Sequence, residues 1–199
     1  MALEVAKKVK NAVLYTNGCI RIDGVRASFP HLDKPYAGED GGTPAYGLVS
    51  LLDKTTHKEA KDLIVERINE VLAQNKNAKV AADRKFIRNG DDSARDEENG
   101  HWTVSARETK RPSIRDKDKS VLSPEEALDK IYGGCFVNVL IRPWFQDNKY
   151  GKRVNAGLVA VQFLRDGEAF GEGRIDDEEA WDDVDDGNEG FTDDDEDGL

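Results

Sequence analysis

The sequence predicts a mainly β protein built on a small antiparallel sheet that curls or closes into a barrel. Three observations lead to this fold class. About five segments of the 199-residue chain have the alternation or β-branched content of strands, two have helical periodicity, and the connections are long and polar. Such content is typical of one domain in which a sheet folds on itself to bury one face.

The first two predicted strands flank a glycine-rich loop. After a loose N-terminus, residues 19–29 (CIRIDGVRASF) combine β-branched and aromatic residues around Gly24, which predicts a strand with a bulge or bend. Residues 35–44 (PYAGEDGGTP) predict a loop, and residues 45–53 (AYGLVSLLD) predict the second strand.

A longer helix and a polar loop come next. Residues 57–73 carry an apolar stripe at helical spacing, and Thr56 with Glu59 predicts a capping box at its start. The stripe consists of Ala60, Leu63, Ile64, Ile68, Val71 and Leu72. Residues 75–100 are polar and rich in Gly, Asp and Asn, which predicts a long exposed loop. This loop contains a basic and aromatic cluster, RKFIR, at 84–88.

The third predicted strand precedes a short helix. Residues 102–107 (WTVSAR) alternate cleanly, which places Trp102 with two aliphatic residues on the inward face. The basic stretch 107–119 then leaves the sheet. Residues 123–134 predict a short helix with its own start and stop signals. These signals are Ser123 as N-cap, Pro124 in the first turn, Glu126 closing a capping box, and two glycines at the end.

The last two predicted strands form a β-hairpin. Residues 135–145 (CFVNVLIRPWF) and 154–164 (VNAGLVAVQFL) are long and apolar, and the basic sequence QDNKYGKR separates them. The two cysteines, Cys19 and Cys135, lie in strand-like apolar surroundings, which predicts buried reduced thiols. No secretory signal or membrane-length apolar run is present in the sequence, so we expect a reducing cytoplasm.

Charge divides the chain at residue 175. Residues 176–199 hold fourteen of the 40 acidic residues and no basic one, which leaves 26 acids against all 29 lysines and arginines in residues 1–175. A segment so charged and so poor in aliphatics cannot offset its ordering entropy, so we expect one domain at 1–175 and a disordered acidic tail at 176–199. The tail either keeps the protein soluble, or it mimics a polyanion that lies in a basic groove and is handed to a basic partner.

The hairpin carries the strongest candidate binding site. Arg142 and Trp144 share the even-numbered face of its first strand, and a basic tip follows them. Aromatic rings stack on bases and cations track phosphates, so this combination is suited to single-stranded nucleic acid. The full candidate set is Arg142, Trp144, Lys149, Tyr150, Lys152 and Arg153, with Arg107 and Arg111 opposite. The alternative is that Trp144 fills the core and the lysines only solvate a turn.

Catalytic motifs are scarce in the sequence. It contains no phosphate-binding glycine loop, its three histidines lie in separate segments, and neither cysteine has a CxxC partner. We therefore expect no enzyme, no metal and no cofactor. One alternative is an interaction or DNA-mimic protein, in which the acidic tail is the active part and residues 1–175 only carry it. Another is a magnesium-dependent nuclease that uses carboxylates such as Asp91 and Asp92.

Several blocks of the sequence, in order, resemble one family. They are GVRASFPHL (24–32), AYGLVSLLDK (45–54), HWTVSARETKRPSIRD (101–116) and IYGGCFVNVLIRPWFQDNKYGKRVNAGLVAVQFLRDGEAFG (131–171). These blocks resemble the small phage-encoded single-stranded DNA-binding proteins, especially those of enterobacterial tailed phages, over roughly residues 15–172. The resemblance implies an OB-fold barrel that binds single-stranded DNA in phage replication or recombination, in the cytoplasm of an infected bacterium, without a metal.

The acidic tail is similar to the tails of other bacterial and phage single-strand binding proteins. In those proteins the tail contacts replication enzymes and competes with DNA. The corresponding partner-binding residues here are Trp181, Phe191, Asp193, Asp194, Asp195 and Leu199. The bacterial pattern ends in Pro-Phe, whereas this chain ends in Gly198 and Leu199, which favours a phage partner or autoinhibition over a host pocket. The sequence is compatible with a monomer and with a homo-oligomer of this chain.

Overall fold

The computed structural model describes residues 2–39 and 41–171. Within these residues nine strands and two α-helices follow one another along the chain. The strands are β1 (Val5–Val9), β2 (Ala12–Tyr15), β3 (Ile20–Tyr36), β4 (Ala45–Asp53), β5 (Ile87–Asn89), β6 (His101–Glu108), β7 (Ser113–Arg115), β8 (Phe136–Asn148) and β9 (Gly151–Arg165). The helices are α1 (Lys58–Gln74) and α2 (Pro124–Lys130). The predicted acidic tail, 176–199, lies outside the described residues.

Five of the strands close into a barrel. Strand β3 pairs with β4 on one side and with β8 on the other, β4 pairs with β6, and β8 pairs with β9. Strands β6 and β9 run parallel and close the ring where Arg107 pairs with Gly157. This topology is that of an OB-fold. The five barrel strands are the five that the sequence predicts, so the predicted fold class is confirmed.

Period-two alternation builds the wall of the barrel. Along β8 the odd positions point into the core, and Val137, Val139 and Ile141 are buried there. Helix α1 packs an apolar stripe on the same core, because the 3.6-residue period puts its buried side chains on one face. Its buried residues are Ala60, Leu63, Ile64, Ile68 and Val71, as predicted.

The N-terminus is an ordered hairpin, so the prediction of a loose segment is wrong. Strands β1 and β2 are joined by a tight turn in which Asn11 has a φ of 61°, and β2 adds to the edge of β3. Contacts to α1 hold the hairpin in place: Lys7 forms an ion pair with Glu66 at 2.6 Å, and the backbone N–H of Lys10 donates to Glu59.

The capping box predicted at the start of α1 does not form. The N-cap residue is His57, and its side chain makes no capping hydrogen bond. The ring of His57 is buried, with Nε2 at 2.8 Å from the carbonyl oxygen of Asp23 and Nδ1 at 2.8 Å from Oγ1 of Thr56. Thr56 therefore orients the histidine, while Glu59 accepts from the N-terminal hairpin.

Residues 75–100 are more ordered than the predicted exposed loop. They contain β5 and three short 3-10 turns, and Phe86 is buried in the main core. The backbone N–H of Phe86 donates to Val154 at 3.0 Å, and its carbonyl accepts from Ser105 at 2.9 Å. The RKFIR cluster thus bridges β9 and β6, where these two strands separate.

The capping box predicted for the short helix is present. Ser123 accepts from the N–H of Glu126, Glu126 accepts from the N–H of Ser123, and Pro124 occupies the first turn. The helix ends at Lys130, four residues before the predicted end.

Replacing Ser123 with alanine should lower the free energy of unfolding by about 1 kcal/mol, because one N–H at the helix start loses its acceptor. Thermal denaturation measures the effect. Ser113→Ala is the control, since Ser113 is an exposed serine on strand β7 and caps no helix of the described residues. Equal melting temperatures for the two variants would contradict the prediction.

Both cysteines are buried and free, as predicted. Burial raises the pKa of the Cys135 thiol to about 11, so the thiol form dominates at neutral pH. None of the helices in the described part of the chain is long and apolar enough to cross a membrane.

Candidate nucleic-acid interface

A cleft of about 680 Å³ lies on the outer face of the barrel, beside the β8–β9 hairpin. Its walls come from β4, β6, β8, β9 and the segment 84–88, which runs into β5. The lining residues are Thr43, Ala45, Arg84, Lys85, Phe86, Arg88, Ser105, Arg107, Glu108, Thr109, Trp144, Gln146, Arg153, Asn155 and Ala156. Three of the predicted site residues, Arg107, Trp144 and Arg153, are therefore brought together.

Trp144 lies on the outward face of β8. It is 45% exposed, because Val137, Val139 and Ile141 occupy the inward face. Of the two interpretations of Trp144, the structure therefore supports the exposed one. Trp144 pairs across the hairpin with Asn155, whose amide donates to the side chain of Gln146 at 2.9 Å.

Arg107 lies on the floor of the cleft between two glycines. It pairs with Gly47 on β4 and with Gly157 on β9. A Cβ at position 47 would lie 3.4 Å from Cγ of Arg107, so the absence of a side chain leaves the arginine room. Gly157 also pairs with Arg142, which is exposed on β8 two residues before Trp144. Arg107 and Arg142 thus lie on either side of Gly157, which has no side chain.

The segment 84–88 supplies a third wall that the predicted site lacks. Phe86 is buried beneath the cleft, and its hydrogen bonds to β6 and β9 fix the flanking residues at the rim. Arg84 donates to the carbonyl of Tyr150 at 2.8 Å, and Arg88 donates to the carbonyl of Asp83 at 2.7 Å. The sequence signal for these cations is the RKFIR cluster, which sequence alone does not place in the fold.

The cleft is strongly electropositive. Five of its lining side chains are cationic, namely Arg84, Lys85, Arg88, Arg107 and Arg153, against the single carboxylate of Glu108. Glu108 accepts from the backbone N–H of Thr109 at 2.9 Å, so part of its hydrogen-bonding capacity is already used. A polyanion entering the cleft would meet an excess of positive charge.

The tip of the hairpin extends beyond the cleft. Strands β8 and β9 continue further than predicted and leave only Lys149 and Tyr150 between them. Tyr150 is exposed, and the Lys149 ammonium lies 5.0 Å from its ring centroid. The Nζ atom of Lys152 lies 4.0 Å from Oδ2 of Asp147. These three predicted residues are accessible to a strand that leaves the cleft.

Arg111 occupies a different environment from the other predicted residues. Its guanidinium is half-buried and donates to the carbonyls of Leu32 at 3.1 Å and Leu122 at 3.3 Å. It is absent from the cleft lining. Arg111 therefore ties strand β3 to the segment that precedes α2, and its assignment to the binding site stays a prediction that these contacts do not favour.

A further aromatic pair borders the cleft. The rings of His31 and Tyr36 stack with centroids 4.4 Å apart, and Tyr36 is exposed. Arg107 donates to the carbonyl of Tyr36 at 3.4 Å and to that of Thr43 at the same distance. Sequence reasoning missed this pair because β3 continues to Tyr36, beyond its predicted end.

Of the two carboxylates of the nuclease alternative, Asp92 is exposed and Asp91 is engaged in other contacts. Asp91 pairs with Lys54 and accepts from the N–H of Gly100 at 2.7 Å. The hydrogen bond from Lys54, followed by that from Gly100, lowers the pKa of Asp91. Among the residues that the structure describes, no group of three histidine, cysteine or acidic side chains could hold a metal ion.

An OB-fold barrel with an exposed tryptophan in a cationic cleft defines a protein of the single-strand-binding class. Sequence comparison agrees with this class. Residues 19–193 match the family model described as "Enterobacter phage Enc34, ssDNA-binding protein". The chain belongs to this family.

Individual relatives agree with the family match. Protein p50 of Acyrthosiphon pisum secondary endosymbiont phage 1 is 31% identical over 180 residues, which cover 83% of this chain and 93% of p50. The single-stranded DNA-binding protein of bacteriophage Enc34, solved in complex with ssDNA, is 48% identical with a TM-score of 0.81. That match covers 85% of this chain and 98% of the solved chain.

A more distant structure shares the fold alone. The single-stranded DNA-binding protein gp2.5 of bacteriophage T7 is 16% identical with a TM-score of 0.55, over 87% of this chain and 97% of gp2.5.

Proposed function

We propose that residues 1–175 bind single-stranded DNA without sequence preference, in phage replication or recombination in the cytoplasm of the infected bacterium. The observation that carries the proposal is the exposed Trp144 inside a cleft with five cations and one carboxylate. Bases stack on aromatic rings whatever their identity, and the cations neutralise phosphates. The ssDNA complex of the Enc34 protein, at 48% identity, supports the same function.

Each part of the cleft has a role in this proposal. Trp144 provides the stacking surface, and Arg107, Arg142 and Arg153 hold the backbone on both sides of it. The residues Arg84, Lys85 and Arg88 extend the phosphate path along the third wall. The tip residues Lys149, Tyr150 and Lys152 receive the strand where it leaves the cleft.

Oligonucleotide binding across a salt series tests the proposal. If three to five phosphates are neutralised, the logarithm of the affinity should fall with the logarithm of salt concentration with a slope of about −2 to −3.5. Fluorescence anisotropy with a labelled oligothymidine, and with a mixed sequence of equal length, measures the slope. Equal affinities for the two sequences are expected, because stacking is sequence-tolerant. A slope near zero would contradict the proposal.

Incubation of the protein with magnesium and labelled DNA tests the nuclease alternative. Intact DNA after incubation is the expected result, because Asp91 is already engaged by Lys54 and Gly100. Cleavage that disappears in an Asp91→Asn variant would instead establish an enzyme.

We also propose two roles for the acidic tail, 176–199. Its fourteen carboxylates resemble a phosphate backbone in charge, so the tail competes with DNA for the cationic cleft. When DNA displaces it, the tail becomes available to phage or host replication and recombination proteins. Trp181, Phe191, Asp193, Asp194, Asp195 and Leu199 are the residues proposed to contact those partners.

A further inference from the structure

A second groove, of about 500 Å³, lies on the outer face of the barrel and is lined by other residues of β8 and β9 than the cationic cleft. Its floor is formed by Leu140 on β8 and Ala160 on β9, which pair across the hairpin. Leu3, which precedes β1, and Tyr15 on β2 also line the groove. Both floor residues are partly exposed, and Leu3 is exposed although it is apolar. The groove is therefore an apolar surface without a partner in the described residues.

Cations border this apolar floor on both sides. Arg21 on β3 pairs with Leu140, and Arg115 on β7 pairs with Gln162 beside the floor. Lys119 lies on the same rim. Asp23 neutralises Arg21, with Nε at 2.8 Å from Oδ1, while no residue lining the groove is acidic. An apolar side chain flanked by carboxylates would complement this surface.

The described chain ends close to the groove. Phe170 donates its N–H to Gly133 at 2.9 Å, and its ring lies 4.3 Å from the guanidinium carbon of Arg26. The same guanidinium lies 5.6 Å from the ring of Phe136, at the start of β8. From Phe136 to Leu140 the outward face of β8 advances only about 14 Å. The chain therefore leaves the barrel at one end of the groove.

The sequence that follows fits the groove in chemistry and in reach. Residues 176–186 read DDEEAWDDVDD, in which Trp181 and Val184 are the large apolar residues among carboxylates. Trp181 lies ten residues beyond Gly171, and ten residues span up to about 35 Å. A tryptophan tethered at this distance has an effective concentration on the order of millimolar at the groove.

We propose that Trp181 of the same chain docks on Leu140 and Ala160, with its flanking carboxylates beside Arg115 and Lys119. The outward face of β8 connects this groove with the cationic cleft, because Leu140, Arg142 and Trp144 all lie on it. Four residues of strand, about 14 Å, separate Leu140 from Trp144. Docking of Trp181 directs the following acids of the tail towards the DNA cleft. The inference thus deepens the proposed competition and rests on it for its functional consequence.

A peptide is favoured over DNA as the occupant of this groove. Single-stranded DNA is held by exposed aromatic rings, whereas the floor here is aliphatic and Tyr15, the one aromatic residue that lines the groove, is buried. The cationic rim is also sparse, since Arg21 is paired with Asp23. These features suit a short acidic segment with one large apolar anchor.

Indole N–H resonances in the 15N-labelled full-length protein test the docking. The three tryptophans are assigned with Trp102→Phe, Trp144→Phe and Trp181→Phe variants, and a peptide of residues 173–199 provides the undocked reference. We expect the Trp181 resonance of the protein to differ from that of the peptide. Ala160→Glu, which fills and charges the floor, should move it to the peptide position. Leu128→Glu is the matched control, since Leu128 is exposed on α2 and lies outside the groove.

A second variant keeps the test independent of folding. Trp181→Ala leaves the barrel untouched, and it should shift the backbone amide resonances of Leu140, Ala160 and Gln162. Three outcomes would overturn the docking: a wild-type Trp181 resonance equal to that of the peptide, persistence of its shift in Ala160→Glu, or a shift that vanishes on dilution and so belongs to a second copy.

The oligonucleotide affinity of Ala160→Glu separates docking from competition. If Trp181 docks in the groove and the tail also competes with DNA, release of Trp181 should tighten DNA binding at low salt about three-fold or more. The Leu128→Glu variant should bind DNA like the wild type. A shifted Trp181 resonance with unchanged DNA affinity would support the docking and refute the competition.

Discussion

Replacing Trp144 with alanine should weaken single-stranded DNA binding about 5- to 150-fold while the melting temperature stays close to that of the wild type. The expected loss corresponds to roughly 1–3 kcal/mol for removal of one stacking surface. The fold should tolerate the change, because the ring lies on the outward face of β8 and the inward face is filled by aliphatic residues. Anisotropy titrations beside circular dichroism melts measure the two quantities.

Trp102→Ala is the matched control for this result. Trp102 is half-buried, packs against the core, and lies with the ammonium groups of Lys54 and Lys61 within 6 Å of its ring centroid, at 5.9 and 5.6 Å. Its loss should lower the melting temperature, as truncation of a packed aromatic does, and leave DNA affinity unchanged while the protein is folded. If the Trp144→Ala variant instead had a much lower melting temperature than the wild type, or bound DNA like the wild type, Trp144 would not be a stacking residue of the site.

Sequence pattern predicts the barrel because its strands satisfy two local signals at once. They alternate or are rich in β-branched residues, and loops rich in Gly, Asp or Pro separate several of them. Strand β1 carries neither signal, because its sequence VAKKV does not alternate between apolar and polar residues. In the structure four of its residues are exposed and the fifth is half-buried. Its order comes from pairing with β2 and from contacts to α1, which involve residues about fifty positions away. A local pattern does not reveal such contacts.

The binding site is predictable where one strand carries it. Arg142 and Trp144 share a face of β8 by simple alternation, and the cations near the hairpin tip follow directly in sequence. The third wall is different, because Phe86 reaches the cleft through backbone hydrogen bonds to Ser105 and Val154. These long-range bonds give the RKFIR cluster its position.

Arg111 illustrates the converse limitation. It lies in a basic stretch just beyond Arg107, and proximity in sequence suggested a shared groove. The chain leaves β6 at Glu108, however, and the guanidinium of Arg111 turns to the carbonyls of Leu32 and Leu122. The direction of a chain after the end of a strand depends on tertiary packing, so charge patterning alone could not separate a binding arginine from a structural one.

Deleting residues 176–199 should tighten single-stranded DNA binding about tenfold at low salt. Residues 1–175 carry 29 basic and 26 acidic residues, whereas the tail, 176–199, carries fourteen acids and no base. A tethered segment at an effective concentration of about 1 mM, with a dissociation constant of about 0.1 mM for the cleft, would weaken DNA binding by this factor. Anisotropy titrations with one short oligonucleotide compare the two proteins.

Raising the salt concentration should narrow the difference in single-stranded DNA affinity between the full-length and the tail-deleted protein. The attraction of the tail to the cleft is itself electrostatic and is screened as ionic strength rises. The plot of log affinity against log salt should therefore be shallower for the full-length protein, because salt weakens the competitor together with the DNA contacts. A full-length variant with the fourteen tail acids changed to amides is the control for tail length, and it should behave like the deletion. Coincident curves for all three proteins at every salt concentration would show that the tail does not enter the cleft, and would leave partner binding or solubility as its role.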